Sequence, residues 1–460
     1  MTGKDLIAAG CPPGKYFKEA LPAANAALAR GEDWLAVVRD FMPPPSLPLH
    51  EEALPFHRNI EADDELEEQN VAAAERTMAE LMRTPVLKYG AVMPDACPAG
   101  PNGTIPVGGV AASEAIHPGM HSADICCSMM ITIVGVADPR KVLDAGQSVT
   151  HFGGGGREVT GKEPSAAVLN EFSTNRVLKR LPAQMVKSHF ATQGDGNHFF
   201  YVGQMASTGE TAIVTHHGSR GPGARLYKEG MGIAESFRRT LSPETLKQNA
   251  WIPAETEEGE NYWAALQTIR QWTKESHAAI HDLTLEAAGL KPKDRFWNEH
   301  NFVFRKSDGL FYHAKGATPA FDGWATDATD LTIIPLNMSE PVLIVRGKNA
   351  DNGLGFSPHG AGRNLSRTAH KRGLGDRPEA DILAEETNGL DVRFFSGVSD
   401  VTELPSAYKS ASAVRRQIDR FELAEVVDEV IPYGSIMAGD WQETMPWRQK
   451  RKAKAALKND

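Results

Sequence analysis

Residues 93–136 read MPDACPAGPNGTIPVGGVAASEAIHPGMHSADICCSMMITIVGV. Short apolar segments alternate here with glycine and proline, a pattern typical of β-strands joined by tight loops rather than of long helices. Reactive side chains, among them Asp124 and Cys127, lie inside this pattern. The segment therefore predicts a strand-rich core whose loops carry functional groups.

Segments with helical periodicity flank this core. Apolar residues recur at helical spacing in residues 20–29 and 62–82, and over the longest distance in residues 261–290. Strand-like runs return at residues 302–304, 331–335 and 341–345, and a final strand or helix–strand pair spans residues 424–436. The sequence therefore predicts the α+β class, with mixed sheets and helices in a single large core. The lack of a repeat of about 20–50 residues excludes solenoids and propellers.

The composition divides the chain into three regions. Residues 1–60 are predicted to form a helical N-terminal extension, and residues 61–440 the core domain. Residues 441–460 form a basic C-terminal tail, which is more often a solvated terminus than a nucleic-acid contact. Four consecutive glycines at residues 153–156 predict a mobile loop, because neither helix nor strand interiors favour them.

The overall composition is that of a packed globular protein. The 460 residues include 49 Lys and Arg against 59 Asp and Glu, a net charge of −10, and 41% are hydrophobic, which excludes a disordered or fibrous chain. The negative charge argues against a wholly basic nucleic-acid binder but permits a local phosphate-binding cleft. No apolar run approaches the roughly 18–20 residues of a membrane helix, and the N-terminus lacks a signal-peptide core. We therefore expect a cytoplasmic protein without membrane contact.

Five polar clusters carry metal-ligating side chains, and they lie at residues 124–127, 194–198, 216–221, 299–301 and 358–363. Three of them, 194–198, 216–221 and 358–363, also contain glycine or arginine. An aspartate and a cysteine three residues apart, with histidines from three distant segments, form a mixed O/N/S donor set for one divalent ion, or for two ions that share a thiolate. For any one histidine alone, an ordinary buried role is the simpler interpretation. The four cysteines are too few and too unevenly spaced for a disulfide framework, so reduced thiols are expected.

The glycines and arginines of these clusters favour a ligand site. Gly218 and Gly360 allow backbone amides to approach a ligand closely, while Arg220 and Arg363 carry forked donors that match phosphate oxygens. Metal, arginine and exposed amides together indicate phosphate transfer. A histidine in such a site is either a metal ligand or a nucleophile that attacks phosphorus, and the residues alone leave both roles open.

In order and composition, these clusters resemble the RtcB family of RNA-splicing ligases, of which the chain is identified as a divergent member. The resemblance covers residues 93–439 and not residues 1–87. The matching motifs are Met93-Pro-Asp95, Pro106-Val-Gly-Gly-Val-Ala-Ala112, Asp124-x-x-Cys127, Gly196-Asn-His-Phe199, His216-x-Gly-Ser-Arg-Gly221, His300-Asn301, Lys315-Gly-Ala-Thr-Pro319, His359-Gly-Ala-Gly-Arg363 with Ser366-Arg367, and Ala407-Tyr-Lys409.

The resemblance implies an RtcB-like catalytic domain that joins a 2′,3′-cyclic phosphate or 3′-phosphate RNA end to a 5′-hydroxyl end. It implies that His359 is the nucleophile that takes GMP from GTP, with Asp95 as an active-site aspartate. Two Mn²⁺ ions are the implied cofactors, and an archease-like activator is an implied partner beside the RNA. The implied metal ligands are Asp124, Cys127, His198, His216 and His300. The implied nucleotide and phosphate contacts are Asn197, Arg220, Arg363, Asn337 and Tyr408.

Several positions depart from the family pattern. Cys97 replaces a histidine, Tyr201 an acidic residue, and Ala438 a lysine. Where the family has Pro-Gly-Ser-Met-Gly, this chain has Pro335-Leu-Asn-Met-Ser339, so Asn337 replaces the serine. In the family, the replaced glutamate, serine and lysine belong to the end of the pocket that recognises guanine, so we predict weak or altered nucleotide selectivity, with ATP the first competitor of GTP. The alternative functions are a ligase with another nucleotide, a metal-dependent phosphoesterase, and a non-catalytic protein that binds RNA ends.

The remaining candidates have no matching role in the family. His277 and His281 have the i, i+4 spacing of a chelating pair, but an ordinary surface or core role is the preferred interpretation. His217 either tunes the site or fills space, and Cys126 is expected to be a small buried residue. Trp441 and Trp447 beside the basic tail are capable of stacking on bases, although packing is the commoner use of tryptophan.

Overall fold

A computed structural model describes residues 1–11, 13–14, 16–42, 46–98, 104–158 and 161–445. The α-helices are α1 (Gly3–Ala8), α2 (Phe17–Ala29), α3 (Trp34–Arg39), α4 (Glu65–Leu81), α5 (Pro118–His121), α6 (Pro139–Val149), α7 (Ala166–Thr174), α8 (Ala183–Ser188), α9 (Arg220–Leu241), α10 (Glu257–Ala288), α11 (Arg367–Gly373), α12 (Glu379–Glu386) and α13 (Ala411–Arg420). The strands are β1 (His57–Arg58), β2 (Leu87–Cys97), β3 (Val107–Ser113), β4 (Ser128–Ile133), β5 (Phe199–Met205), β6 (Thr211–His217), β7 (Asp294–Glu299), β8 (Asn301–Arg305), β9 (Phe311–Lys315), β10 (Ala317–Pro319), β11 (Leu331–Ile334), β12 (Val342–Gly347), β13 (Phe356–Pro358), β14 (Asp391–Phe394) and β15 (Ala424–Met437). The predicted α+β class is confirmed.

The largest sheet has eight strands. Its order is β11-β12-β15-β5-β6-β4-β7, with β14 paired to β15 at one side. Neighbours pair antiparallel except β14 and β15, which run parallel. The last predicted segment, residues 424–436, is thus one long strand, β15, which joins the two halves of the sheet.

A second sheet of five strands has the order β1-β2-β3-β9-β8. It connects directly to the large sheet, because β7 and β8 are separated by the single residue His300. The short antiparallel pair β10–β13 lies close to both, and β13 ends at Pro358, immediately before His359. Candidate site residues therefore occupy the junctions between the sheets.

Helix α10 covers one face of the large sheet. Its buried side chains include Tyr262, Leu266, Ile269 and Trp272, which belong to the main hydrophobic core. The helix is the longest of the described part of the chain, as predicted, but it begins at Glu257 rather than at residue 261. The Thr256 hydroxyl caps the first turn by accepting from the Gly259 amide, and Gly289 ends the helix with φ of 68°.

The first 42 residues contain α1, α2 and α3, which bury a small apolar cluster of their own. That cluster consists of Leu6, Cys11, Ala20, Ala24 and Val38. The boundaries at residues 60 and 440 stay predictions. Most of the basic tail, residues 446–460 with Trp447, lies outside the described residues. No helix of the described ranges has the length and apolar character needed to cross a membrane.

Candidate active site

Four of the predicted metal ligands lie at the ends of adjacent strands in the large sheet. Cys127 immediately precedes β4, His198 immediately precedes β5, and His300 immediately follows β7. His216 is the second-to-last residue of β6. Because β5, β6, β4 and β7 are antiparallel neighbours, the starts of β4 and β5 meet the ends of β6 and β7 at one edge. Sheet register therefore gathers residues that are distant in sequence.

These side chains are in direct contact. The Cys127 sulfur lies 3.1 Å from His216 Nε2 and 3.5 Å from His198 Nε2. His216 Nε2 in turn lies 3.2 Å from His300 Nε2. Asp124 Oδ2 is 3.2 Å from His198 Nε2, so the fifth predicted ligand joins the same group. We call these five residues the Cys–His cluster.

The donor atoms of the Cys–His cluster suit a divalent transition metal. One donor atom each from Cys127, His198 and His216 lies within 4.8 Å of the others. The Nδ1 atoms of His198 and His300 are buried without a hydrogen-bond partner among the described residues. A sulfur, imidazole and carboxylate set of this kind suits a transition metal rather than calcium, because thiolate and imidazole are ligands that transition metals prefer. The residues present therefore fit a bound metal ion.

Burial controls the protonation of the cluster. It lowers the pKa values of His216 and His300 well below the ordinary value, so both rings are neutral, as metal ligation requires. Burial also raises the pKa of the Cys127 thiol well above the ordinary value. For Asp124, burial is the largest effect and acts to raise the pKa, but the combined interactions of the carboxylate with His198, Cys127 and other neighbouring groups outweigh it, and the pKa is low. Metal binding would consequently release the thiol proton.

His359 lies at the edge of this cluster, and its ring is held by Asp95. The Asp95 Oδ2 atom is 2.6 Å from His359 Nδ1 and also accepts the backbone amides of His359 and Gly360. The carboxylate is completely buried in β2. The centre of the His359 ring is 4.8 Å from that of His300. Asp95 thus fixes Nδ1 as the protonated nitrogen and leaves the lone pair on Nε2.

A cavity of about 450 Å³ opens beside His359. This volume is within the range of small-molecule sites, roughly 300–1,000 Å³. Predicted site residues that line it are Asn197, His216, Asn337, His359, Arg363 and Tyr408. Arg220 does not line it; its Nη2 donates to the Gly153 carbonyl at 2.7 Å, on the glycine loop. Among the described residues, the structure thus brings every predicted nucleotide contact except Arg220 to one cavity.

Glu403 organises one wall of this cavity, and it is not among the site residues predicted from the sequence. Its side chain is buried and bonds Arg367 at 2.6 Å and the Tyr408 hydroxyl. Arg363 Nη1 is 3.5 Å away and donates to the Thr402 carbonyl at 2.8 Å. The motif that contains both arginines was visible in the sequence, but no local pattern marks Glu403 as their partner.

Lys315 is a second residue that lines the cavity. It opens the Lys-Gly-Ala-Thr-Pro motif, but the sequence alone assigns it no role. It lies at the end of β9, next to Gly316, whose Cα faces the His359 ring. Burial lowers its pKa. A cationic amine at this position is suited to a phosphate group beside His359.

The other histidines singled out in the sequence lie in the core. The His277 Nδ1 and His281 Nε2 atoms are 2.7 Å and 2.8 Å from the Thr215 hydroxyl. The His217 ring stacks on His277 with centres 3.5 Å apart. The preferred interpretation of His277 and His281 was an ordinary surface or core role rather than chelation, and the structure places both in the core. The expectations that Cys126 is buried and that the cysteines are free are confirmed as well.

Comparisons with known proteins agree with this geometry. A sequence profile described as tRNA-splicing ligase RtcB matches residues 138–438. The tRNA-splicing ligase RtcB of Thermococcus kodakarensis is 26% identical, over 84% of this chain and 96% of the relative. That of Aeropyrum pernix is 25% identical, over 76% and 88%. That of Nanoarchaeum equitans is 25% identical, over 66% and 71%.

Proposed function

We propose that this protein, which belongs to the RtcB family of tRNA-splicing ligases, is a metal-dependent RNA ligase. In the proposed reaction it joins a 2′,3′-cyclic phosphate or 3′-phosphate end to a 5′-hydroxyl end. The observation that carries the proposal is the placement of His359. Its ring contacts the Cys–His cluster on one side and the cavity on the other, and Asp95 holds it.

The first proposed step is attack of His359 on a nucleoside triphosphate. The Nδ1 N–H donates a hydrogen bond to the Asp95 carboxylate, so the Nε2 lone pair is the available nucleophile. A bond forms between Nε2 and the α-phosphorus as the bond from that phosphorus to the bridging oxygen breaks, and pyrophosphate leaves. The Asp95 carboxylate stabilises the positive charge that develops on the imidazole, as in other aspartate–histidine pairs.

The phosphates require positive charge on the cavity wall. Lys315, Arg363 and Arg367 line the cavity, and Asn197 supplies an amide. Two Mn²⁺ ions bound by Asp124, Cys127, His198, His216 and His300 would withdraw charge from the phosphate oxygens and so ease displacement of the leaving group. A 2′,3′-cyclic phosphate end is first opened by water, which leaves a 3′-phosphate and a 2′-hydroxyl. An oxygen of the 3′-phosphate then bonds to the nucleotidyl phosphorus as the Nε2–phosphorus bond breaks, and the 5′-hydroxyl of the second RNA attacks the activated 3′-phosphate and displaces the nucleoside monophosphate. RNA and an archease-like activator are the proposed partners.

A labelling experiment tests this proposal. Each α-³²P-labelled nucleoside triphosphate is incubated with protein and Mn²⁺, and the denatured protein is assayed for a label that acid removes and base does not, as expected of a phosphoramidate. We expect His359→Ala to abolish the label, and His57→Ala, on the exposed strand β1, to retain it. Ligation of a 2′,3′-cyclic phosphate oligonucleotide to a 5′-hydroxyl oligonucleotide should likewise be lost in His359→Ala and retained in His57→Ala. A labelled His359→Ala protein would move the nucleophile elsewhere, and phosphate release without label would favour the phosphoesterase.

A further inference from the structure

The far end of the cavity has a floor made by two paired strands. In the antiparallel register of β5 and β15, Phe199 lies opposite Met437 and Tyr201 lies opposite Ser435. All four residues line the cavity. Residues two apart on a strand share a face, so these four side chains form one continuous patch, which we call the base floor.

The base floor extends directly from the Cys–His cluster. The Phe199 ring is 5.4 Å from that of His216, centre to centre, and 6.3 Å from that of Tyr201. A nucleotide whose phosphates lie at His359 would therefore place its base along Phe199, toward Tyr201 and Ser435. The aromatic and thioether side chains provide a stacking surface for it.

Most polar groups near the base floor are already engaged within the protein. The Tyr201 hydroxyl donates to the Val430 carbonyl at 2.8 Å. Glu403, the carboxylate that lines the cavity, is occupied by Arg367 and by the Tyr408 hydroxyl. The Asn337 side-chain Oδ1 accepts from the Ser339 amide at 2.9 Å. These contacts use part of the hydrogen-bonding capacity that a base with several N–H groups would need.

Ser435 differs from these polar groups, because its hydroxyl is not engaged by another described residue. Its side chain is only 2% exposed, and its Oγ has no hydrogen-bond partner among the described residues. A buried hydroxyl without a partner costs free energy, so such groups usually bind a ligand or water. Because Ser435 lines the cavity, we infer that the hydrogen-bond partner of this hydroxyl is a bound base.

We propose that Ser435 reads the base, and that the site binds adenine nucleotides at least as tightly as guanine nucleotides; this rests on the proposed nucleotide-dependent function. The pairing edge of guanine carries two adjacent donors, N1–H and N2–H, which one carboxylate satisfies well. Adenine carries one exocyclic donor on that edge, which a single hydroxyl oxygen accepts. With one free hydroxyl and no free carboxylate on the base floor, guanine leaves a donor unpaired and adenine does not.

Equilibrium binding tests this without relying on the covalent step. Full-length His359→Ala protein is titrated with ATP and GTP in Mn²⁺, and both dissociation constants are measured by calorimetry. We expect ATP to bind at least as tightly as GTP. Adding Ser435→Ala should raise the dissociation constant of ATP about fivefold. Adding Ser435→Asp, which supplies a carboxylate, should shift the ratio of the two dissociation constants about tenfold in favour of GTP binding. Ser412→Ala, the same substitution on the exposed side of α13, should change neither constant.

The outcomes separate this proposal from the proposed function. A tenfold or greater preference for GTP, or unchanged ATP binding in Ser435→Ala, overturns the role of Ser435 even if the enzyme ligates RNA. Tight ATP binding that depends on Ser435, in a wild-type protein that never forms the adduct, supports the base floor and overturns the ligase. Absence of binding by both nucleotides overturns the base floor, while labelling of the wild-type protein decides the ligase independently. Circular dichroism of each variant confirms that the fold is retained.

Discussion

Cys126 and Cys127 are adjacent in the chain, yet their side chains lie in different surroundings. Cys126 has φ of 58°, in the left-handed region, and its amide donates to the Asn301 carbonyl at 2.7 Å. This turn in the backbone aims Cys127 at His216, while Cys126 belongs to the apolar core. The pair therefore offers a matched test of the metal site.

We predict that Cys127→Ala loses bound metal and activity together. The thiolate is the soft donor at the centre of the cluster, and removing it leaves neutral imidazoles and one carboxylate. Metal content per protein, measured by elemental analysis after loading with Mn²⁺, should fall by at least half. Cys126→Ala should keep its metal, because its sulfur is not a member of the Cys–His cluster. Full occupancy in Cys127→Ala would exclude a bridging role for this sulfur.

We predict that Asp95→Asn separates chemistry from metal binding. The Oδ2 atom accepts from the His359 ring and from two backbone amides, and an asparagine amide cannot satisfy all three if its NH₂ faces them. The His359 ring would lose its fixed tautomer, and adduct formation should slow by about a hundredfold or more. The metal content of Asp95→Asn should match that of wild type. The control variant Asp63→Asn should match wild type in both metal content and adduct formation. An unimpaired adduct rate would show that the pair is structural.

At the scale of elements, helix α9 contains one glycine that close packing requires and one that only costs backbone entropy. Gly230 lies against the buried Tyr262 ring, so a methyl group there would overlap it, whereas nothing lies near a side chain at Gly232, which faces solvent. The two glycines are two residues apart on one helix. They therefore differ in packing while sharing the same backbone.

We predict opposite effects of the same substitution at these two positions. Gly232→Ala should stabilise the protein by about 0.5–1 kcal/mol, because alanine loses less backbone entropy in a helix. Gly230→Ala should destabilise it by roughly 1–3 kcal/mol through overpacking against Tyr262. Free energies of unfolding in urea measure both. A stabilised Gly230→Ala would mean that α9 and α10 can separate at little cost.

Contacts between distant helices and strands limit how many site residues can be predicted from the sequence. The members of the Cys–His cluster could be predicted because their short motifs match the family pattern in order, and the strands place those motifs together. His277 was ambiguous, because its partners Thr215 and Ser128 lie on β6 and β4, over 60 residues away. Glu403 and Ser435 were not found, since only packing against distant strands and arginines gives them a role.

At the scale of the whole molecule, stability depends on histidines that are buried in neutral form. His117 Nε2 lies 2.8 Å from the Ser113 hydroxyl, and its backbone amide donates to His313 Nε2 at 2.9 Å. His121 Nε2 lies 3.1 Å from the Tyr262 hydroxyl. These contacts link the five-stranded sheet to α10, and both rings are completely buried, so a positive charge on either would be poorly solvated.

Acid should therefore destabilise the protein well above the pH at which its carboxylates titrate. Burial lowers the pKa of His117 to about 3 and that of His121 to about 4, from 6.5. Below pH 6.5 the unfolded chain binds protons that the folded chain does not, so the free energy of unfolding falls as the pH falls toward 3–4. At pH 5 the loss is about 2 kcal/mol for each histidine, at roughly 1.36 kcal/mol per pH unit.

Urea unfolding at pH 7.5, 6 and 5, with chelator present to remove any metal contribution, measures this loss. The His117→Gln variant is less stable at every pH, but its loss between pH 7.5 and 5 should be smaller than that of wild type by about 2 kcal/mol, because glutamine does not titrate. The exposed His57→Gln should retain the full pH dependence. If His117→Gln lost stability with pH exactly as wild type does, His117 would have to be protonated in the folded protein, and the Ser113 and Asn249 contacts would have to accommodate its charge.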